Sequence, residues 1–388
     1  MTTFRTMPAD GGPLRVVVVG AGPMGRRWLP TVQESPEVDL AGIVDLDVPL
    51  AQAAAAELGV PDLPVGADLA AVAAASDAQA IIDATAPPAH LPVTVQALEL
   101  GLPVLGEKPL AATLAEALHL VAAAERSGEL FMVSQNYRYN TGLLRFREHA
   151  RALGPLGVVT AEFFKTLHKR QVHEVMDHPL LLEMAIHTFD TARFLLDAEP
   201  VAVYCTKYNP SWSWFRGEAV ATAIFEMTGG VRFVYTGSFC SPGLETSWNS
   251  AWRVSGERGS ACWDGDAPPR LEVATSDSVG EVPAVATPAP ANSIAGALAE
   301  FVHALRTGTT PMCEVHDNVL SLAMVEACVL SASTGRRVDL NEVLESAHAT
   351  AVAKAEDDVR DVLRSWTSVS AALSPHRCTP PTEPLEVR

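Results

Sequence analysis

Two stretches of this sequence hold residue types that can act on an alcohol. The first, Gly106-Glu107-Lys108-Pro109-Leu110, places a lysine beside a proline directly after an apolar run. A lysine at a cofactor cleft donates to a substrate hydroxyl and stabilises the alkoxide that develops as the C–H bond is broken. Where partly desolvated, it can also exchange a proton. Pro109 would hold the turn that aims Lys108, and its peptide bond is a candidate for the cis form. The competing reading is a surface lysine at a strand end. The second stretch is Glu183-Met-Ala-Ile-His187-Thr-Phe-Asp190. Glu183 and His187, four apart on a predicted helix, share a face, with Asp190 one turn further. A histidine beside a carboxylate is held in one tautomer, as acid/base work requires. Two plainer readings compete: an ion pair on a helix surface, or half of a metal site completed by His173 or His178. The absence of a matched Cys or Asp cluster speaks against metal. Lys108, His187 and Glu183 are thus the candidate catalytic residues.

Chemistry of that kind needs a redox cofactor, and the N-terminal region offers a place for one. Val16-Val17-Val18-Val19 empties into Gly20-Ala21-Gly22-Pro23-Met24-Gly25, a strand followed by a G-x-G-x-x-G turn opening a helix. Gly20 permits the tight turn, Gly22 leaves room for a pyrophosphate against the backbone, and Gly25 allows close helix–strand packing. The helix N-terminus adds N–H groups and partial positive charge for the phosphates. The motif alone is weak, but a second strand, Leu40–Val44, ends at Asp45, where a carboxylate would accept from the adenosine ribose. A carboxylate there repels a 2′-phosphate, and Leu46, Asp47 and Val48 supply no cation, so NAD is expected over NADP. Asp47 is the alternative, as the ribose ligand itself or simply a helix N-cap. Expected cofactor contacts are Gly20, Gly22, Pro23, Met24, Gly25 and Asp45.

The first third alternates strands and helices, which predicts a parallel sheet covered on both faces. Strands are expected at Arg15–Val19, Leu40–Val44, Ala80–Asp83, Pro103–Gly106 and Phe131–Ser134. Helices are expected at Met24–Glu34, Pro49–Leu58, Leu69–Ala75, Leu91–Leu100 and Leu114–Arg126, the last opened by a capping box from Thr113 to Glu116. This is a Rossmann pattern, with ligands at the C-terminal strand ends. After about Asn136 a helix (Thr141–Leu153), a strand (Val158–Lys165) and a helix within Pro179–Leu196 lead into β-like runs at 201–208, 219–226, 231–239, 251–255 and 260–263. Gly229-Gly230 is expected in a hairpin turn. The 277–292 stretch is expected to be a surface connection, followed by helices at 293–306, 318–333 and 341–366. The fold class is therefore α/β: a Rossmann domain (1–134), then an α/β domain on a largely antiparallel, open-faced sheet (135–373), then a flexible tail (374–388).

At 388 residues the chain can hold two or three domains. Its net charge of −18, spread along the chain, argues against a nucleic-acid partner. No run of about 20 uninterrupted apolar residues suggests a membrane span, and residues 1–15 do not read as a signal peptide. Six cysteines without metal-ligand spacing fit a reduced cytoplasmic protein. The open sheet face and late helices suggest a homo-oligomer, dimer or tetramer.

These motifs together resemble the Gfo/Idh/MocA oxidoreductase family, over roughly Leu14 to Leu340. The resemblance rests on Gly20/Gly22/Gly25, Glu107-Lys108-Pro109 and Glu183…His187…Asp190. Ala86-Pro87-Pro88-Ala89-His90 is similar to the family's loop after the third strand, which borders the cofactor, and Gly335–Leu340 to the close of its substrate domain. The resemblance implies that Ala86, Pro87, His90, Glu107 and Lys108 adjoin NAD. It also implies that the lysine and a carboxylate–histidine pair act on a sugar or polyol hydroxyl. Glu183 departs from the family's usual Asp, and Ala185 from a common Gly. Candidate substrate contacts are Lys108, Tyr137, Arg138, His173, Glu183 and His187, with His168, Lys169, Arg170, His178, Trp212 and Trp214 as further pocket-wall candidates. Besides a sugar or cyclic-polyol dehydrogenase, two alternatives stand: an oxidation–elimination enzyme acting on a glycoside, and a non-catalytic NAD-binding regulator.

Overall fold

The computed structural model describes residues 4–168, 174–274, 279–281 and 293–373. The chain divides into two units. The first comprises 1–136, 291–319 and 345–382; the second comprises 137–290, 320–344 and 383–388. Residues 291–319 and 345–373 thus belong with the N-terminal part of the chain.

In the first unit the strands are β1 (Leu14–Val19), β2 (Val38–Val44), β3 (Val65–Gly66), β4 (Ala80–Asp83), β5 (Val104–Gly106) and β6 (Phe131–Val133). They form one sheet in the order β3-β2-β1-β4-β5-β6, with every pairing parallel. Val16–Val18 and Ala80–Ile82 are wholly buried, as strands covered on both faces must be. Helices α1 (Gly25–Glu34), α2 (Val48–Glu57), α3 (Leu69–Ala75), α4 (Pro87–Glu99) and α5 (Leu114–Ser127) connect them. Thr113 caps α5 by accepting from the Glu116 N–H at 3.2 Å, as its sequence implied. The order reverses between β1 and β4, so the loops after these two strands flank the crevice in which such sheets take ligands.

The second unit opens with a 3-10 turn (Asn136–Tyr139, counted from the last residue of the first unit) and α6 (Thr141–Ala152), then β7 (Leu156–Phe164) and α7 (Ile186–Leu196). Strands β8 (Pro200–Tyr208), β9 (Val220–Met227), β10 (Arg232–Ser238), β11 (Ala251–Gly256), β12 (Gly259–Trp263), β13 (Arg270–Ala274) and β14 (Val279–Glu281) follow. The sheet runs β14-β13-β12-β11-β7-β10-β9-β8, closed at its edge by β15 (Val338–Asp339). It is mixed, since β7 and β10 pair in parallel while the other pairs are antiparallel. Gly229 and Gly230 join β9 to β10 with φ of 77° and 84°, a left-handed pair that favours glycine. On the inner face Phe189 of α7 meets Phe225 and Tyr235 edge-on, with ring centroids 4.9 and 5.2 Å apart.

Helices α8 (Ser293–Thr307), α9 (Val315–Thr334), α10 (Leu340–Lys354), α11 (Asp357–Ser365) and α12 (Val369–Leu373) complete the chain. By length and composition α9 is apolar enough to cross a bilayer, but 67% of its most apolar window is buried in the protein, as in a core helix. The expected single helix over 341–366 is broken at Ala355–Glu356. The expected connection over 277–292 lies outside the described residues except for β14, as does the tail.

Candidate active site

The glycine turn after β1 is shaped by what a side chain would strike. A Cβ on Gly25 would lie 1.8 Å from the Gly20 carbonyl oxygen, and one on Gly20 would lie 2.8 Å from that of Ala84. At Gly22 a Cβ would meet nothing within 4 Å. The turn is therefore tight against its own helix and β4, and open at Gly22, the position at which a pyrophosphate passes over backbone. Pro23 and Met24 complete the turn, Met24 being the N-cap of α1 without a side-chain cap. Asp45, at the end of β2, reaches back to this turn. Its Oδ2 accepts from the Ala21 N–H at 2.7 Å and its Oδ1 from the Asp47 N–H at 2.8 Å. A carboxylate has about four lone-pair sites, so Asp45 retains acceptors for a ribose. Asp47 is the N-cap of α2, accepting from the Leu50 N–H at 3.1 Å. Those residues fit a dinucleotide. Gly20, Gly22, Pro23, Met24, Gly25 and Asp45 would hold it, and when bound it supplies the hydride acceptor or donor.

Lys108 follows β5 at the C-terminal edge of the same sheet, half-buried, and its bond to Pro109 is cis. Glu107 beside it is buried, accepting from Trp28 Nε1 at 2.8 Å and from the Lys108 N–H at 3.2 Å. Burial pushes the Glu107 carboxyl up, with the Trp28 N–H and the Lys108 charge opposing. Glu107 thus ties the turn to α1. Ala86 and Pro87 start α4 as N-cap and first residue. His90, in the first turn of α4, is 2% exposed. Asp83, not marked out by any sequence motif, is buried beneath this loop and accepts the Thr85 hydroxyl at 2.6 Å. Its place at the end of an all-apolar strand was the available signal.

In the second unit His187 is 7% exposed and stacks on Tyr137, with ring centroids 4.3 Å apart and planes 15° from parallel. Arg138, the next residue after Tyr137, sets a two-pronged guanidinium on Asp190, Nε to Oδ2 at 2.8 Å and Nη2 to Oδ1 at 2.7 Å. Ser321 adds a hydroxyl donor to Asp190 at 2.7 Å. Both partners of this ion pair are buried, and fork-on-carboxylate geometry is the strong form of such a pair. Asp190 therefore locks α7 to the turn that carries Tyr137, and Tyr137 meets the imidazole face. The guanidinium of Arg138, expected to hold substrate, is bonded to Asp190. The physical reason is burial, since an enclosed Arg needs a carboxylate partner.

Glu183 sits on an irregular turn. Leu181–Ala185 forms a π-helical turn ahead of α7. Such i→i+5 turns take about one residue more per turn than an α-helix and cluster at functional sites. Glu183 lies on this turn and His187 on the first turn of α7. Among the pocket-wall candidates, Trp214 stacks on His168 at 3.7 Å between centroids. His178 and Lys207 both reach Glu218, at 3.2 and 2.9 Å. Lys165, three residues before His168, is paired with Glu245 at 3.0 Å and lies over the Trp248 ring. Trp212 is 63% exposed. Lys169, Arg170 and His173 lie outside the described residues. No group of three or more metal-ligating side chains stands together among the described residues.

Comparison with known proteins shows the family. Residues 14–135 match the oxidoreductase family with an NAD-binding Rossmann fold, and residues 144–262 match the Gfo/Idh/MocA C-terminal domain. A D-apiose dehydrogenase of Paraburkholderia graminis is 29% identical over 354 residues, covering 86% of this chain and 91% of its own. An inositol 2-dehydrogenase of Saccharopolyspora erythraea is 33% identical over 195 residues, 49% of this chain and 56% of its own. Among solved structures, an oxidoreductase from Agrobacterium radiobacter in complex with NAD+, L-tartaric acid and magnesium shares the fold. Its TM-score is 0.76 at 21% identity, covering 85% of this chain and 99% of the other.

Proposed function

Because the chain belongs to the Gfo/Idh/MocA family of NAD-binding oxidoreductases, we propose that it oxidises a secondary alcohol of a sugar or cyclic polyol to the ketone, or runs the reverse reduction. The observation that carries this is the pairing, in one chain, of a lysine turn at the edge of a dinucleotide sheet with an imidazole braced by a ring stack and a buried ion pair. The relatives' names supply the substrate class, D-apiose in one and inositol in the other. Asp45 beside the glycine turn supports NAD over NADP.

In the oxidation direction His187 takes the hydroxyl proton as general base, and the Tyr137 stack holds its ring plane. The Lys108 ammonium donates to a substrate oxygen as negative charge develops on it. Glu183 orients the imidazole or holds a neighbouring hydroxyl. The chain works as a homo-oligomer, for which the support is a row of apolar side chains on the open face of the second sheet.

A panel of sugars and inositols with NAD, followed by NADH formation, tests the reading. On the best substrate His187→Ala should lose on the order of 10²–10⁴ in kcat, the range of a lost acid/base. Lys108→Ala should lose at least on the order of 10², as for an oxyanion donor. Glu183→Asp should keep substantial activity and Glu183→Gln should not. Near-wild-type turnover in His187→Ala or Lys108→Met would remove the assigned roles. Aglycone release without net NADH would point to oxidation–elimination, and silence despite tight NAD binding to a regulator.

A further inference from the structure

The loop that follows β4 and the turn that carries Lys108 are joined by one buried imidazole. His90 Nδ1 lies 2.8 Å from the Pro109 carbonyl oxygen, and Nε2 lies 3.1 Å from that of Thr85. The tautomer decides which carbonyl receives the N–H; in either case the ring is wedged between two main-chain acceptors. Its two polar atoms are therefore directed to backbone rather than to a ligand, and the ring is 2% exposed.

What the two carbonyls belong to gives the contact its meaning. Pro109 adjoins Lys108. The Ala84–Thr85 segment is the floor of the glycine turn: a Cβ on Gly20 would come within 2.8 Å of the Ala84 oxygen and 3.1 Å of the Thr85 nitrogen. Asp83 holds that floor from behind, with Oδ1 accepting the Thr85 N–H at 3.1 Å and Oδ2 accepting the Thr94 hydroxyl at 3.3 Å. Ahead of Lys108, the Glu107 N–H donates to the Asp83 carbonyl at 2.8 Å. After Lys108, His90 faces the Pro109 carbonyl. A single ring thus spans the dinucleotide floor and the far side of the lysine turn.

We infer that His90 is a positioning residue, setting the Lys108 turn against the floor of the dinucleotide loop without itself touching cofactor or substrate. Its effect on turnover rests on the dehydrogenase reading above; its effect on the turn does not. The test uses the full-length protein with NAD, comparing wild type with His90→Phe, which keeps ring volume without ring nitrogens, and His90→Gln, which keeps a donor.

Hydrogen–deuterium exchange over residues 104–112 should rise at least about tenfold in His90→Phe and less in His90→Gln, the size expected when one buried hydrogen bond no longer restrains a segment. Exchange in β1 and α5 should stay unchanged. NAD affinity by calorimetry should move by less than about threefold. On an accepted polyol, kcat should fall at least about tenfold with KM held, as for a misplaced catalytic group. Unchanged exchange at 104–112 would overturn the inference, as would a rise spread evenly over the sheet. Loss of NAD affinity with a quiet Lys108 turn would make His90 a cofactor ligand and overturn it equally. A local rise in a protein that oxidises no polyol would support the clamp and leave only the dehydrogenase reading to fall. Should His90→Phe fail to fold, His90→Gln carries the same comparison.

Discussion

At the scale of single residues, Asp45 and Asp47 show how identical side chains two positions apart take different work. Asp47 caps α2 through the Leu50 N–H, so its carboxylate is spent on helix start. Asp45 is bonded to the Ala21 N–H at 2.7 Å and stays beside the turn that would take the pyrophosphate. Replacing Asp45 by Ser should weaken NAD binding by about tenfold, one charge-assisted hydrogen bond's worth, and narrow the gap to NADP by removing the repulsion of a 2′-phosphate. Calorimetry with both dinucleotides checks this; NADP binding tenfold tighter than NAD to the wild type would refute the role given to Asp45.

At the scale of elements, the clearest surprise is the return of the C-terminal helices to the first unit. α11 lies on α5, with Arg126 of α5 paired to Asp358 and Trp366 Nε1 donating to Glu125 at 2.9 Å. Glu125 also meets His316 Nε2 at 2.9 Å, while Glu314 meets its Nδ1 at 2.7 Å. Burial alone would push the His316 ring down, but the hydrogen bonds and charges of Glu125 and Glu314 outweigh it and hold it up at about 9, above its ordinary 6.5. A folded-state value raised above the unfolded one stabilises below pH 6.5, and that contribution is lost as pH rises to about 9. Unfolding free energies from urea titration should accordingly fall across this window, by on the order of 2–3 kcal/mol more in the wild type than in His316→Gln. Parallel curves for the two proteins would show that the ring carries no linked stability.

At the scale of the whole molecule, the second sheet has one face filled by α7 and another left open among the described residues. Along that open face the register aligns Tyr204 with Ile224, Ile224 with Val234, Val234 with Thr160 and Thr160 with Arg253. Tyr204 and Ile224 are each 45% exposed, a contiguous apolar row of the kind that marks an interface. Light scattering at micromolar concentration should show a dimer or tetramer. Ile224→Glu combined with Tyr204→Glu should reduce the mass to that of one chain without unfolding it. A wild type already monomeric there would sink the proposal of an oligomer built on this face.

Local patterning determined much of this. Buried β-branched strands, the glycine turn and the caps at Thr113 and Asp47 depend on neighbours within a few residues, so the alternating first domain was legible almost element by element. Lys108 at the edge of its sheet was legible for the same reason, because strand order places every loop of a parallel sheet at a known end. Other features arise from partners far apart in sequence. Arg138 gives its guanidinium to Asp190, 52 positions on, and Lys165 pairs with Glu245, 80 positions on, which periodicity cannot register. The π turn at Glu183 lies inside a helix that spacing foresaw, but its pitch was not legible. Only the tertiary structure decided that Tyr137 stacks on His187, that His90 bridges two loops, and that α11 closes on α5. In each case a buried polar or aromatic group had to find its partner across the fold, since burial without one is costly.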